Sequence, residues 1–165
     1  MSDVRLRGTT PADLAYVLST EADPDNAQWI IPWNEAQHAA SLSDPDVRHL
    51  IVESAGAGAP VGYVILAGLH NPHRSIECRR LAVSAKGRGH GRAALRAVVA
   101  LAFDELGAHR LWLDTQTRNT RARHLYASEG FVEEGVLREC WRQHGAWQSL
   151  VVMSILEPEY RAAGG

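Results

Sequence analysis

The chain has 165 residues, of which 45% are hydrophobic and 22% charged, and its formal net charge is −2. This is an ordinary globular composition, and the near-neutral charge argues against nucleic acid as the main partner. No apolar run approaches the roughly 20 residues of a membrane helix, no signal-peptide core is present, and Cys78 and Cys140 make no disulfide framework. We therefore expect one cytoplasmic domain over residues 1–165, with its core at about 3–156 and no membrane partner.

The first half of the chain predicts small elements joined by turns. Thr10 is a helix N-cap, Pro11 suits the first helical turn, and Asp23-Pro24 ends that helix. The apolar loop from Trp29 to Trp33 either lines an acceptor pocket or packs a long connection onto the core. The other expected elements are strands at 4–7, 47–54 and 61–69 and a helix at 35–42, with the loop 55–60 closing a hairpin.

Residues 76–99 predict a strand, a glycine-rich loop and a helix, and the rest of the chain is organised around them. The loop contains Gly87, Gly89 and Gly91 among the basic residues Lys86, Arg88 and Arg92. A helix that begins on such a loop directs unpaired N–H groups and its positive dipole end at one point. Because glycines lack Cβ, they allow a ligand to approach the backbone closely. The stretch therefore predicts a phosphate cradle, and its three basic residues suit more than one phosphate.

The strand before this loop changes phase. Ile76 and Cys78 place apolar side chains on even positions, whereas Leu81 and Val83 place them on odd positions. Side chains alternate between the faces of a strand, so the change predicts a β-bulge between Cys78 and Leu81 that frees backbone groups for a ligand. A strand buried on both faces has no phase to lose, and it explains the pattern equally well.

The second half of the chain predicts a parallel strand, a helix and a final strand pair. Residues 111–114 form a buried strand, which a right-handed crossover places parallel to the 76–83 strand. Asn119 caps the next helix, and Tyr126 shares one face of that helix with it. Strands at 131–142 and 147–156 follow, and the tail from Glu157 to Gly165 is expected to be loose.

The glycine loop resembles the signature of the Gcn5-related N-acetyltransferase (GNAT) family, Arg/Gln-x-x-Gly-x-Gly/Ala after a bulged strand. Here the motif runs from Lys86 to Gly91, and Lys86 is a mild departure from the usual Arg or Gln. The resemblance continues through residues 119–126 and Gly130-Phe131, and it is nearest to the subset that acetylates ribosomal proteins, polyamines or aminoglycosides. It implies an α/β, single-domain GNAT-like fold with a mixed twisted central sheet, a bulged strand and flanking helices. The sheet is expected to split like a V beside the loop.

The resemblance also implies the reaction: transfer of an acetyl group from acetyl-CoA to a primary amine, directly in a ternary complex and without a metal. The acceptor partner is a small-molecule or peptide amine, such as a protein N-terminus, a polyamine or an aminoglycoside, and a homodimer is compatible with this activity. The expected cofactor-binding residues are Leu81, Ala82, Val83, Arg88, Gly89, His90, Gly91, Arg92 and Asn119.

Two residues are expected to carry the proton transfers. Tyr126 matches the family tyrosine that acts as general acid toward the departing thiolate; its alternative is a tyrosine that only packs in the core. Glu77, at the start of the bulged strand, matches the family carboxylate that deprotonates the amine, provided that burial raises its pKa. A structural glutamate paired with Arg79 is the alternative for this position.

Two other functions fit parts of the sequence. Gly89-x-Gly91-x-x-Ala94, with Asp114 roughly 20 residues further on, matches the pattern of an NAD(P)-dependent oxidoreductase. Against it, residues 84–88 separate the strand from the glycines, and antiparallel strands follow. A non-catalytic CoA-binding sensor would keep the cradle and lose the catalytic groups, whereas Tyr126 and Glu77 are present.

Overall fold

The computed structural model describes residues 3–164, and within them seven strands form one sheet flanked by helices. The strands are β1 (Val4–Gly8), β2 (Val47–Ser54), β3 (Pro60–Ala67), β4 (Ser75–Val83), β5 (Arg110–Gln116), β6 (Val132–Gln143) and β7 (Ala146–Leu156). The helices are α1 (Leu14–Ala22), α2 (Pro24–Ala27), α3 (Glu35–Ser41), α4 (His90–Ala100), α5 (Thr120–Ser128) and α6 (Glu157–Ala162). In this part of the chain no helix is long and apolar enough to cross a membrane.

The sheet has the strand order β1-β2-β3-β4-β5-β7-β6, which confirms the expected mixed α/β fold. β4 and β5 are parallel, as the crossover through α4 requires, and the other neighbouring pairs among the described strands are antiparallel. A single parallel pair followed by an antiparallel ribbon is not the doubly wound sheet of a dinucleotide-binding fold. The oxidoreductase interpretation is therefore wrong.

β4 and β5 separate after a short stretch of pairing. They pair only where Ser75–Glu77 faces Arg110–Trp112, and the rest of β5 pairs with β7 alone. On its other side, β4 shifts register against β3, because Cys78 and Arg80 face consecutive residues of β3 and Arg79 is left over. The predicted bulge is confirmed, and the sheet opens like a V from this point.

Helices cover both faces of the sheet. On one face, Leu95 and Val98 of α4 pack with Ile76 and Leu111 of the two parallel strands. Val17 of α1 packs on the opposite face, together with Tyr63 and Ala82. The V is thus bordered by α4 on one side and by the α1–α3 segment on the other.

The prediction of a loose tail is wrong for residues 157–162, because they form α6; residues 163–164 form a turn after it, and Gly165 lies outside the described residues. Pro158 occupies the first turn of this helix, and the Leu156 N–H donates to the Glu159 carboxylate at 2.9 Å. The Tyr160 ring stacks on Phe103 with 4.8 Å between centroids. These contacts bring residues far apart in sequence together, so the local composition of the tail does not reveal them.

Candidate active site

A cleft of about 840 Å³ opens where β4 and β5 diverge. One wall is the second half of β4, and the facing wall is the end of β5. The loop before α4, the helix α5, the segment from α2 to residue 31 and the β6–β7 ribbon close the remaining sides. Because the facing edges of β4 and β5 no longer pair with each other, their backbone groups are available to a bound molecule.

At one end of the cleft, the glycine loop turns into α4. Gly87 and Gly89 have φ angles of 77° and 79°, a region that residues with a Cβ rarely adopt. The first N–H groups of α4, at His90, Gly91 and Arg92, have no partner within the helix. A Cβ added at Gly91 would meet nothing within 4 Å, so this turn faces open space. The geometry is that of an anion cradle.

Protein partners hold the basic side chains around the cradle in place. Lys86 Nζ donates to the Asp25 carbonyl at 2.6 Å. Arg92 pairs with the Glu129 carboxylate and donates to Ser128 Oγ at 2.9 Å. These contacts fix positive charge beside the N–H groups of the loop before any ligand arrives.

Most residues predicted for the site line this one cleft. They are Leu81, Ala82, Val83, Gly89, His90, Gly91, Arg92, Asn119 and Tyr126. The described lining does not include Glu77 or Arg88. Arg88 is exposed on the loop, and the Glu77 carboxylate accepts a hydrogen bond from Arg79 Nη2 at 2.9 Å.

Tyr126 reaches the cleft from α5, where its ring lies 5.9 Å from the Phe131 ring. Burial raises the pKa of Tyr126, and the charges of Cys78 and Asp114 raise it further, so the hydroxyl stays protonated at neutral pH. Burial also raises the pKa of the Cys78 thiol, which lines the same cleft, to about 12. Any thiolate that forms in this cleft is therefore strongly basic, and the protonated hydroxyl of Tyr126 can donate a proton to it.

Asp114 is the carboxylate that the end of β5 contributes to the cleft. Burial raises its pKa, and the negative charge of Glu77 raises it further. Glu77 lies close by, because it pairs with Trp112 across the parallel strands. The sequence connects Asp114 only with the dinucleotide pattern, although its place at the end of a buried strand is the signal for a position in the cleft.

One buried carboxylate collects four donors on the α1 side of the sheet. Glu21 Oε1 accepts from the Tyr63 hydroxyl at 2.6 Å, from Arg80 Nη1 at 2.6 Å and from His38 Nε2 at 3.0 Å, and Glu21 Oε2 accepts from the Trp33 N–H at 3.1 Å. Glu21 thereby joins α1, α3, β3 and β4 to the loop that carries Trp33. The sequence does not predict this cluster, because its members are scattered over many elements.

Two histidines extend the cluster toward the surface. His38 Nδ1 lies 3.1 Å from His49 Nε2, and His49 Nδ1 lies 2.8 Å from Thr9 Oγ1. With His38 Nε2 as the donor to Glu21, each ring nitrogen of His38 and His49 has a complementary partner while both rings are neutral. Burial lowers the pKa of His49 to about 4, which agrees with a neutral ring.

The loop from Trp29 to Trp33 forms part of the cleft wall. Arg80 Nη2 donates to the Ile31 carbonyl at 2.9 Å, and the Arg80 guanidinium lies 5.0 Å from the centre of the Trp33 ring. Trp29 and Ile31 line the cleft, whereas Trp33 packs against the core. The loop therefore contributes to the cleft wall and to core packing through different residues, and its role in an acceptor pocket stays a prediction.

Two buried polar atoms near the end of β5 lack hydrogen-bond partners. Gln116 Nε2 donates to the Gln28 carbonyl and to Gln143 Oε1, both at 3.2 Å. Within residues 3–164, Gln116 Oε1 and Trp141 Nε1 have no hydrogen-bond partner. An acceptor and a donor are therefore left unpaired beside the cleft.

Comparison with known proteins identifies relatives of this chain. Residues 14–131 match the model of the acetyltransferase (GNAT) family. A spermidine N(1)-acetyltransferase from Vibrio cholerae is 32% identical over 120 residues, which cover 72% of this chain and 69% of the relative. The structure of a Vibrio cholerae spermidine N-acetyltransferase in complex with CoA and spermine has a TM-score of 0.87 at 26% identity and covers 96% of this chain and 98% of its own. A dodecameric structure of that acetyltransferase has a TM-score of 0.83 at 26% identity and covers 99% of both chains.

Proposed function

The chain belongs to the GNAT acetyltransferase family, and from this premise we propose how its cleft binds and activates the substrates. It is an acyltransferase that moves an acetyl group from acetyl-CoA to a primary amine. The observation that carries the proposal is the divergence of β4 and β5. The cleft between the two strands is lined by the phosphate cradle, by the unpaired edge of β4 and by Tyr126.

Acetyl-CoA supplies the activated acetyl group, and the residues present fit it. The N–H groups of His90, Gly91 and Arg92 bind the pyrophosphate, for which the open space at Gly91 leaves room. The edge of β4 from Leu81 to Val83 is unpaired on the β5 side and binds the amide-containing pantetheine arm as an added strand. A backbone N–H near Val83 stabilises negative charge on the thioester oxygen.

Two side chains handle the protons of the transfer. The amine nitrogen bonds to the thioester carbon, the carbon–sulfur bond breaks, and the amine loses a proton while the sulfur gains one. Tyr126 donates the proton to the sulfur, and Asp114 accepts the amine proton directly or through water. Glu77 acts through Asp114, because its charge raises the Asp114 pKa while Arg79 holds its own carboxylate. Direct base catalysis by Glu77 stays a prediction that a variant can separate from this one.

The acceptor is a primary amine, and the relatives indicate which amines to test first. One relative is a spermidine acetyltransferase, and a solved neighbour holds spermine together with CoA. A neighbouring structure is described as dodecameric, which supports assembly of this chain with copies of itself, the homodimer included. Neither the acceptor nor the assembly follows from the cradle, because the cradle recognises only the cofactor.

The test is the release of free CoA thiol from acetyl-CoA in the presence of single amines. Spermidine, a peptide with a free N-terminus, an aminoglycoside and apolar monoamines form the panel, and a mass gain of one acetyl group on the amine confirms transfer. We expect thiol release that depends on both acetyl-CoA and the amine. Tight binding of acetyl-CoA without thiol release for any amine would instead identify a CoA sensor.

A further inference from the structure

One end of the cleft lies around Gln116, at the end of β5. The Gln116 side chain donates to Gln28 and Gln143, and Gln116 faces Leu150 of the neighbouring strand β7. Strand alternation places Gln116 on the same face of β5 as Asp114, so this end adjoins the carboxylate that we assign as the base. The apolar side chains lining the cleft in these segments are Trp29, Ile30, Ile31, Trp141 and Leu150. An amine that reaches Asp114 therefore has hydrocarbon and aromatic rings beside it.

Two arginines near this end are already paired with carboxylates. Glu21 holds Arg80 at 2.6 Å, and Glu77 holds Arg79 at 2.9 Å. In the described lining, the acidic residues are Asp25 and Asp114. Asp25 lies beside Lys86 at the cradle. Besides Asp114, the described lining thus holds one carboxylate, that of Asp25, whose backbone carbonyl accepts from Lys86 at the cradle.

Arginines also occupy two of the aromatic surfaces that could bind an ammonium group. The Arg118 guanidinium lies 4.5 Å from the centre of the Trp29 ring, and the Arg80 guanidinium lies 5.0 Å from the centre of the Trp33 ring. A further cation brought against these rings meets like charge. Of the two unpaired polar atoms here, the Trp141 Nε1–H is a donor, which an ammonium group cannot use, and Gln116 Oε1 is a single neutral acceptor that supplies no counter-charge.

Resting on the proposed function, we propose that the acceptor is a primary monoamine with an aromatic or aliphatic body, and that a polyamine is a poor acceptor for this chain. The apolar body of such a monoamine moves out of water and packs against the wall formed by residues 29–31, with the reacting nitrogen at Asp114. The outer ammonium groups of a polyamine gain no counter-charge at this wall, and desolvating them is unfavourable. The acceptor class of this chain therefore differs from the one that its spermidine-acetylating relative is named for.

The experiment compares kcat/KM for 2-phenylethylamine, hexylamine and spermidine, with acetyl-CoA saturating and the pH constant. Burial of a phenyl or hexyl group makes each monoamine the better substrate by about tenfold or more. Equal or higher kcat/KM for spermidine overturns this inference and leaves the acetyltransferase assignment standing. Thiol release with none of the three amines overturns the inference as well, and the wider amine panel then decides the proposed function separately.

A charge placed on the wall provides a second readout. Ile31 is apolar yet 53% exposed at the rim, so Ile31→Glu adds a carboxylate there with little risk to the fold. We expect its kcat/KM to rise about threefold to fivefold for spermidine and to fall for 2-phenylethylamine, as an exposed ion pair allows. Val136→Glu, at a position 52% exposed on β6 and outside the described lining, is the matched control and leaves both values unchanged. An Ile31→Glu protein with an unchanged preference overturns the inference.

Discussion

At the scale of single residues, the cleft changes the proton affinity of the groups that line it. Burial raises the pKa values of Cys78, Asp114 and Tyr126, each of which favours its neutral form there. A neutral tyrosine is a proton donor, and a carboxylate of raised pKa is a better base than an exposed one. Burial therefore keeps Tyr126 protonated and makes the ionised form of Asp114 a stronger base.

Tyr126→Phe removes the proposed proton donor and keeps the ring that packs on Phe131. We expect kcat to fall by about 10²- to 10⁴-fold, the usual contribution of general acid catalysis. Acetyl-CoA affinity and melting temperature change little, because one neutral hydrogen bond contributes only about 0.5–1.5 kcal/mol. Tyr160→Phe is the control, since it removes a hydroxyl bonded to Asp104 outside the described cleft lining. Normal turnover with lower stability in Tyr126→Phe would identify a core tyrosine.

Asp114→Asn tests the base. Because the folded pKa of Asp114 is raised above 3.8, stability is lost as the pH rises from that value through the folded pKa, and the neutral amide removes this loss. We expect kcat to fall by roughly 10²-fold or more while the melting temperature at pH 7 stays equal or rises. The acid limb of the pH–rate profile also disappears.

Glu77→Gln separates the two candidate bases. If Glu77 acts through Asp114, its removal lowers the Asp114 pKa and moves the acid limb of the pH–rate profile to lower pH, with kcat largely kept. If Glu77 itself takes the amine proton, kcat falls about as far as in Asp114→Asn. A pH–rate series on wild type and both variants decides between them.

At the scale of elements, the turn from the glycine loop into α4 is the place where added bulk would interfere with the proposed cofactor site. Gly91 lies in the helix with ordinary backbone angles and open space at its Cβ position, so a side chain there fits the fold and projects toward the cofactor. Gly87 and Gly89 have positive φ angles, so a substitution there strains the backbone as well. Gly91 therefore isolates the effect on binding from the effect on folding.

Gly91→Val should weaken acetyl-CoA binding by about tenfold or more, because a branched side chain displaces the pyrophosphate from the first N–H groups of α4. Titration calorimetry with acetyl-CoA measures the affinity, and thermal unfolding confirms the fold. Gly135→Val on β6 is matched, since it too has open space at Cβ and no positive φ, and its affinity should equal that of wild type. Undiminished affinity in a folded Gly91→Val protein would remove the cradle assignment.

At the scale of the whole molecule, the Glu21 cluster connects the cleft wall to the opposite end of the sheet. The bonds run from Ile31 through Arg80 and Glu21 to His38 and His49. Both histidines are buried and match their partners when neutral. Protonation of His49 therefore disrupts both the fold and the position of the wall.

Stability should consequently decrease in mild acid. The folded pKa of His49 is lowered from 6.5 to about 4, so its contribution is fully present above pH 6.5 and is lost as the pH falls toward 4. The loss amounts to roughly 3 kcal/mol at its limit. Arginine partners lower the pKa values of Asp13 and Glu53, so these carboxylates add to the loss of stability at the acid end of the range. Urea unfolding between pH 7 and 4.5 measures the slope.

His49→Gln should flatten that slope, because the group that must take up the proton is gone. His70→Gln, on an exposed turn, should keep the slope of wild type. An equal slope in all three proteins would exclude His49 as the source of the acid sensitivity.

The sequence by itself indicated most of the elements in order, the glycine loop before α4 and the capped helix that carries Tyr126, and it offered the bulge in β4 as one of two explanations. These features follow from residues close together in the chain: alternation reveals a strand and its bulge, glycines reveal a turn, and Asn119 reveals a helix start. Only the tertiary structure decided that Asp114, not Glu77, lines the cleft, that Glu21 joins two histidines to Arg80, and that the tail folds as α6. The physical reason is that burial and pKa depend on neighbours brought from distant positions, which a local pattern does not contain.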